Sequence, residues 1–165
     1  MTDPISPPLI VCFGDSLTAG FQAPGPAHPT GEETPYGHVL QNCLGARGRV
    51  EISGICGETT GEMVLRFRAA VLNRRPQMVI ILGGTNELGW NADPAEIMRN
   101  LTKMYELARA SSIVPVPVTV PSIRVDLGEE SAEAASWVAQ HIQRRRQLNA
   151  MIADYAERKH LRHVD

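Results

Sequence analysis

Residues Leu9 to Gly20 read LIVCFGDSLTAG, and the rest of the chain is organised around them. Leu9 to Phe13 form a short apolar run followed by glycine. The run is too short for a globular helix and suits a strand buried on both faces, as in a parallel sheet. Gly14 permits a sharp turn, and Asp15 and Ser16 are residue types that open helices. Ser16 is therefore expected at the carboxyl end of a buried strand, where a helix begins. In open α/β sheets that edge is where ligands bind, and a hydroxyl there lies close to free backbone N–H groups. By itself Gly14-Asp15-Ser16 also reads as a turn with an N-cap. A phosphate-binding turn is a third reading, but only one glycine precedes the helix and no lysine follows, so a P-loop or dinucleotide fingerprint is absent.

The chain has 165 residues, 43% hydrophobic and 21% charged, with a net charge of −2. These values fit one soluble globular domain, residues 1–165, with a sizeable core. They leave no broad basic surface for nucleic acid. No stretch is long and apolar enough to span a bilayer, and the N-terminus MTDPISPPLI lacks the basic-then-apolar order of a secretory signal. The expected location is the cytoplasm. Cys12, Cys43 and Cys56 are odd in number, lack metal-ligand spacing and read as reduced thiols. Cys12 reads as a small core residue, and Cys56, before a glycine in a loop, leaves a reactive role open.

Downstream, Phe21 to Thr34 is rich in Pro and Gly and reads as a loop that no regular element can occupy. It leaves the same edge as Ser16, so it either walls a substrate pocket or is a tolerated surface insertion. A helix is expected over Tyr36–Leu44, with Val39, Leu40 and Cys43 on one side and Gly45 as its stop. Val50, Ile52 and Ile55 suggest a second strand. Gly54 to Gly61 reads GICGETTG, and Glu58, Thr59 and Thr60 open a helix with Met63, Val64, Phe67, Val71 and Leu72 at helical spacing. Met78 to Leu82 (MVIIL) is the clearest strand, followed by Gly83, Gly84, Thr85, Asn86 and Glu87 as a loop. Asp93 and Pro94 mark a helix start, with Ile97, Leu101, Met104, Tyr105 and Ala108 as its apolar stripe.

Ile113 to Val120 (IVPVPVTV) has a strand pattern, but Pro115 and Pro117 each remove a ladder donor. Two apart, they leave the same side of the strand short of N–H groups, which is tolerable if that side is poorly paired. A long helix follows over about Ala132 to Lys159, with Arg144 to Arg146 read as a solvated face. Leu161 to Asp165 reads as the start of one more strand. Strands alternate with helices throughout, the mark of a parallel sheet covered on both faces.

Three strand-end segments thus converge on one edge, carrying Ser16, Gly57 and Asn86. The chemistry suits acyl transfer. A serine hydroxyl attacks a carbonyl carbon, and the Ser16 N–H, the Gly57 N–H and the Asn86 amide are donors for the oxyanion. Here the sequence resembles the GDSL, or SGNH, hydrolase family. Gly14-Asp15-Ser16-Leu17 matches its nucleophile motif, Gly57 in ICGETT its second motif, and Gly84-Thr85-Asn86-Glu87 its third. The resemblance implies a three-layer α/β/α sandwich with a parallel, flavodoxin-like sheet. It also implies esterase, lipase, thioesterase or carbohydrate-acetylesterase activity without metal or organic cofactor. The partner implied is a small-molecule ester, thioester or acetylated sugar. By the same resemblance Ser16 is the nucleophile, and Gly57 and Asn86 complete the oxyanion hole. Glu58 and Glu87 stand where the family often has Asp.

The family's fourth motif, D-x-x-H, supplies the base and its orienting acid, and no Asp in residues 1–165 is followed three positions later by His. The expectation is a chain cut before its last strand is complete, nearly inactive as given. A non-catalytic binding domain that kept the pocket is the competing reading. Of the histidines, His28 follows Ser16 in the loop and has plausible reach. His141 is expected on a solvent face, and His160 and His163 at the opposite edge of the sheet. Trp90 reads as a lid residue, a sugar-stacking surface or part of an acyl site.

Overall fold

A computed structural model describes residues 7–24, 30, 32–122 and 132–165. Its elements run β1 (Leu9–Gly14), α1 (Ser16–Ala19), β2 (Phe21–Gln22), β3 (Glu32–Glu33), α2 (Tyr36–Leu44), β4 (Arg49–Gly54), α3 (Thr60–Ala70), β5 (Met78–Leu82), α4 (Thr85–Gly89), α5 (Pro94–Ala110), β6 (Val114–Pro117) and α6 (Ala132–Arg158). The main sheet has the order β4-β1-β5-β6, and every neighbouring pair is parallel. β1 lies inside the sheet with the next two parallel strands on either side of it. The order therefore reverses at β1, which makes its carboxyl end a topological switch point.

Alternation along the strands sends Val11, Phe13, Val79 and Ile81 to one face, where they form a core with Met63 and Phe67 of α3, Ile97, Leu101, Met104 and Tyr105 of α5, and Leu148 and Ile152 of α6. Cys12 points to the other face, where α2 packs. There a Cβ on Gly37 would come within 2.6 Å of Ile52 Cγ1 and 3.4 Å of Cys12 Sγ. The result is a parallel sheet between helical layers, as expected. The α2 bounds match the sequence reading, but its packed side does not: Val39 is 65% exposed and Cys43 is exposed. The helix touches the sheet at Gly37, where the missing side chain allows close approach, and Val39 and Cys43 turn outward while Leu40 stays half-buried.

Two further expectations change. The Pro/Gly stretch is not wholly irregular, because Phe21–Gln22 and Glu32–Glu33, which carry no proline, pair as a short antiparallel ribbon. The segment after β5 is not all loop either: Gly83 and Gly84 make the turn, and Thr85–Gly89 is helical. The prolines of β6 sit as their spacing requires. The Val114 N–H bonds to Gln77 O and the Val118 N–H to Ile81 O, so the even-numbered donors face the β5 side and Pro115 and Pro117 turn their ring nitrogens outward. On that outer side Val164 bridges Val118. Within α6, Arg146 is exposed, but Arg144 bonds to Asn91 Oδ1 and Arg145 donates to Val120 O at 3.0 Å. The basic triplet is thus only partly a solvated face, since two of its members fasten α6 to loops at the carboxyl edge. No helix among the described residues is long and apolar enough to cross a membrane.

Candidate active site

Strand register brings the three segments level. Gly14 pairs with Gly54 of β4 and with Leu82 of β5, so the chain leaves all three strands at one height. Asp15 caps α1 by accepting the Leu17 N–H at Oδ1, 2.9 Å, and Ser16 is the first helical residue, half-buried. Ile55 donates its N–H to Gly14 O at 3.1 Å, which ties the second segment to the first. Ile55–Glu58 then forms a turn closed by the Glu58 N–H on Ile55 O, 3.3 Å. Gly57 lies in it at φ +77°, exposed, and a Cβ there would meet nothing within 4 Å. Glycine is demanded here by the backbone angle rather than by crowding. Asn86 is half-buried, and its Nδ2 donates to Glu58 O at 2.8 Å, which ties the third segment to the second.

Carboxylates support this edge from below. Glu58 is buried and held by Arg66 through two 2.6 Å bonds. Glu87 is buried and accepts the Thr60 N–H at 2.5 Å together with the Thr60 hydroxyl, which places a negative group at the start of α3. Thr59 and Glu62 close a capping box at the same end. The two glutamates therefore fit where the shorter Asp was expected from the family pattern.

Asp15 is fully buried, and its carboxyl is pushed up to about 6, first by burial. The Leu17 N–H works against the rise, and the charges of Glu87 and Glu58 add to it. Such an acid holds its proton more tightly folded than unfolded. Its contribution to stability is therefore fully present below about pH 4 and is lost as pH rises through 6. Asp15→Asn keeps the cap acceptor and removes the charge. A rise from 3.8 to about 6 corresponds to up to about 3 kcal/mol. The variant is expected to be more stable than the parent by up to that amount at pH 8, with little difference near pH 4. Urea unfolding at the two pH values checks this, and a gain that did not change with pH would contradict it.

The histidines fall differently from expectation. His141 does not face solvent: it is 2% exposed, stacks on Trp137 and places Nδ1 3.3 Å from Leu88 O. A carbonyl can only accept, so Nδ1 carries the hydrogen. The α6 face that packs on α4 buries the ring, a contact remote in sequence. His160 lines a cleft with Met78, at the amino end of β5, as expected. His163 does not sit at that opposite edge. The Val118–Val164 bridge raises it level with Pro117, on the outer flank of β6. Three strand spacings from β1 is about 14 Å, beyond the reach of a base. His38 is exposed on α2, and His28 lies outside the described residues. Among the described residues no histidine ring bonds to Ser16, and no group of three or more His, Cys, Asp or Glu is placed to hold a metal ion.

Comparison with known proteins adds the following. A model of the GDSL-like lipase/acylhydrolase family matches residues 12–165. An arylesterase of Vibrio mimicus is 31% identical over 117 residues, covering 68% of this chain and 55% of that protein. An uncharacterized lipoprotein, YqeF, of Bacillus subtilis (strain 168) is 29% identical over 118 residues, covering 67% of this chain and 47% of that one. The chain thus spans about half the length of the curated relatives it matches. Among solved structures, a carbohydrate acetylesterase family member from Sinorhizobium meliloti superposes with a TM-score of 0.76 at 18% identity, covering 96% of this chain and 82% of that one, a likeness of fold.

Proposed function

The chain belongs to the GDSL-like lipase/acylhydrolase family, and from that membership we propose that it cleaves carboxylic esters or thioesters through an acyl-enzyme on Ser16. The observation that carries the reading is the hydrogen-bonded meeting of three strand-end segments at the switch point of the sheet. In this reading the Ser16 Oγ attacks the acyl carbon as its proton passes to a base, and the carbonyl electrons move onto oxygen. Collapse of the adduct breaks the acyl–oxygen or acyl–sulfur bond and expels the alcohol or thiol, which takes up that proton. Water then releases the acid. The N–H groups of Ser16 and Gly57 and one N–H of Asn86 receive the oxyanion, while the other Asn86 N–H stays on Glu58 O. No metal or organic cofactor enters the scheme.

The substrate in this proposal is a small ester, thioester or acetylated sugar. Trp90, 71% exposed and four residues beyond Asn86, supplies a flat apolar surface for its acyl or sugar part. The arylesterase named for one of the similar proteins falls within this class. A reducing compartment such as the cytoplasm suits the exposed free thiols of Cys43 and Cys56.

Attack also needs a base, and residues 1–165 contain no D-x-x-H. Taken by themselves they are expected to turn over ester slowly, lower by on the order of 10⁶ than a complete serine hydrolase. Added imidazole can stand in for the base. The test is a fluorophosphonate probe with peptide mapping, on residues 1–165 with graded imidazole and on the same residues joined to a D-x-x-H segment. Label on Ser16, faster with imidazole and faster still with the segment, is expected. Ester binding with no label on Ser16 under either condition would overturn the reading in favour of a binding domain.

A further inference from the structure

We propose that Arg66 is the positioning residue that sets the oxyanion hole, which rests on the reading of Ser16, Gly57 and Asn86 given above. Arg66 lies on α3, outside the three strand-end segments. Its side chain is only 19% exposed, and its guanidinium carbon sits 4.1 Å from the centroid of the Phe13 ring. The donors fan out to three places. Nε and Nη2 hold the two oxygens of Glu58 at 2.6 Å each. Nη1 donates to Ser53 Oγ at 2.7 Å, and Nη2 reaches Ser53 O and Gly14 O at 3.1 Å each.

Each acceptor lies on a segment that carries a working group. Gly14 O precedes the Asp15-Ser16 turn, Ser53 is the second-last residue of β4, ahead of the Gly57 turn, and Glu58 follows Gly57 directly. The Glu58 carbonyl in turn holds the Asn86 amide at 2.8 Å. One planar cation therefore fixes the spacing between the Ser16 N–H on one side and the Gly57 N–H and Asn86 amide on the other. Lysine cannot do this. It offers three donors from a single point, whereas the guanidinium spreads five over a rigid fork. Lysine would keep the charge beside Glu58 and lose the link to Gly14 and Ser53.

The experiment measures fluorophosphonate capture at Ser16 in the 165-residue chain with imidazole, resolved into a limiting rate and a half-saturating probe concentration. Arg66→Lys is expected to lower the limiting rate about tenfold or more, with half-saturation within about twofold. In an Asn86→Ala background the same change should cost less than about threefold, because the side-chain donor at the end of the clamp, one of the groups it positions, is already gone. Equal losses in the two backgrounds, or no loss in either, would overturn the proposal. A second readout needs no chemistry: the Asn86 side-chain amide pair in a nitrogen-15 correlation spectrum, identified by its absence in Asn86→Ala. Arg66→Lys should shift that pair, and an unmoved pair would count against the proposal. If Arg66→Lys does not fold, Glu58→Gln is the substitute. It weakens the same clamp and keeps the Glu58 carbonyl, and the same rate loss and amide shift are expected. Capture no faster in the parent than in Ser16→Ala would fail the hydrolase reading alone, since the amide pair still reports on Arg66.

Discussion

Ser16→Ala is expected to lose all covalent capture of a fluorophosphonate, with its fold intact. The two halves of that result have separate causes. Ser16 is the first residue of α1, but the cap belongs to Asp15, whose Oδ1 holds the Leu17 N–H. Alanine has the highest helix propensity and adds no atoms, so the melting temperature should move little. The chemistry has no such reserve. The oxyanion donors can polarise an acyl or phosphonyl group, but no bond to the protein forms without the hydroxyl. In a serine protease, removal of the nucleophile costs about 10⁶ in turnover even with the rest of the site in place. Intact mass after incubation with probe reads the outcome directly. Retention of label in Ser16→Ala, mapped to another residue at the parent's rate, would remove Ser16 from the mechanism.

Gly14→Ala should be among the most damaging single methyl additions in this chain. A Cβ at Gly14 would lie 2.2 Å from Leu82 O and 2.3 Å from Thr18 Oγ1. Both neighbours are buried, and one is backbone of the adjacent strand. Relief therefore requires β1 and β5 to part, or α1 to lift off, at the point where the three strand-end segments meet. A cost of about 4 kcal/mol or more is expected, against a total stability of roughly 5–15 kcal/mol for a domain. Gly89→Ala is the control: it meets nothing within 4 Å and sits in a helical turn, so a change within about 1 kcal/mol is expected. Urea midpoints, or soluble yield where Gly14→Ala cannot be purified, compare the two. Similar midpoints would mean that the packing of α1 on the strand ends is looser than described.

Much of the frame was legible because it rests on local pattern. The run Met78–Leu82, the Asp93-Pro94 start and the stripe Ile97, Leu101, Met104, Tyr105 and Ala108 all reappear in place, the last five fully or almost fully buried. The segments bearing Ser16, Gly57 and Asn86 were legible for the same reason, as glycine-marked strand ends. What escaped was pairing between residues that no local pattern joins. Arg66 sits between buried Met63 and Phe67, a position at which a charged residue must have a partner, yet nothing in the helix pattern names Glu58, Ser53 and Gly14. His141 looks like any polar helical residue until α4 covers it. His163 was misplaced because its height depends on which residue of β6 it pairs beside, and a register is not written in either strand alone.

The outward-turned ring nitrogens of β6 carry a consequence for how this molecule meets its neighbours. A stray peptide that tries to extend the sheet past β6 finds carbonyls ready to accept at that flank, but no donors at positions 115 and 117. Only alternate hydrogen bonds can close, so an intruding chain gains about half a ladder. The segment around Val164 gains more, because Pro117 O accepts the Val164 N–H and the Thr119 N–H returns to the Val164 carbonyl. The flank is thus selective: it pairs with the segment around Val164 and offers any other strand fewer donors than an ordinary sheet edge.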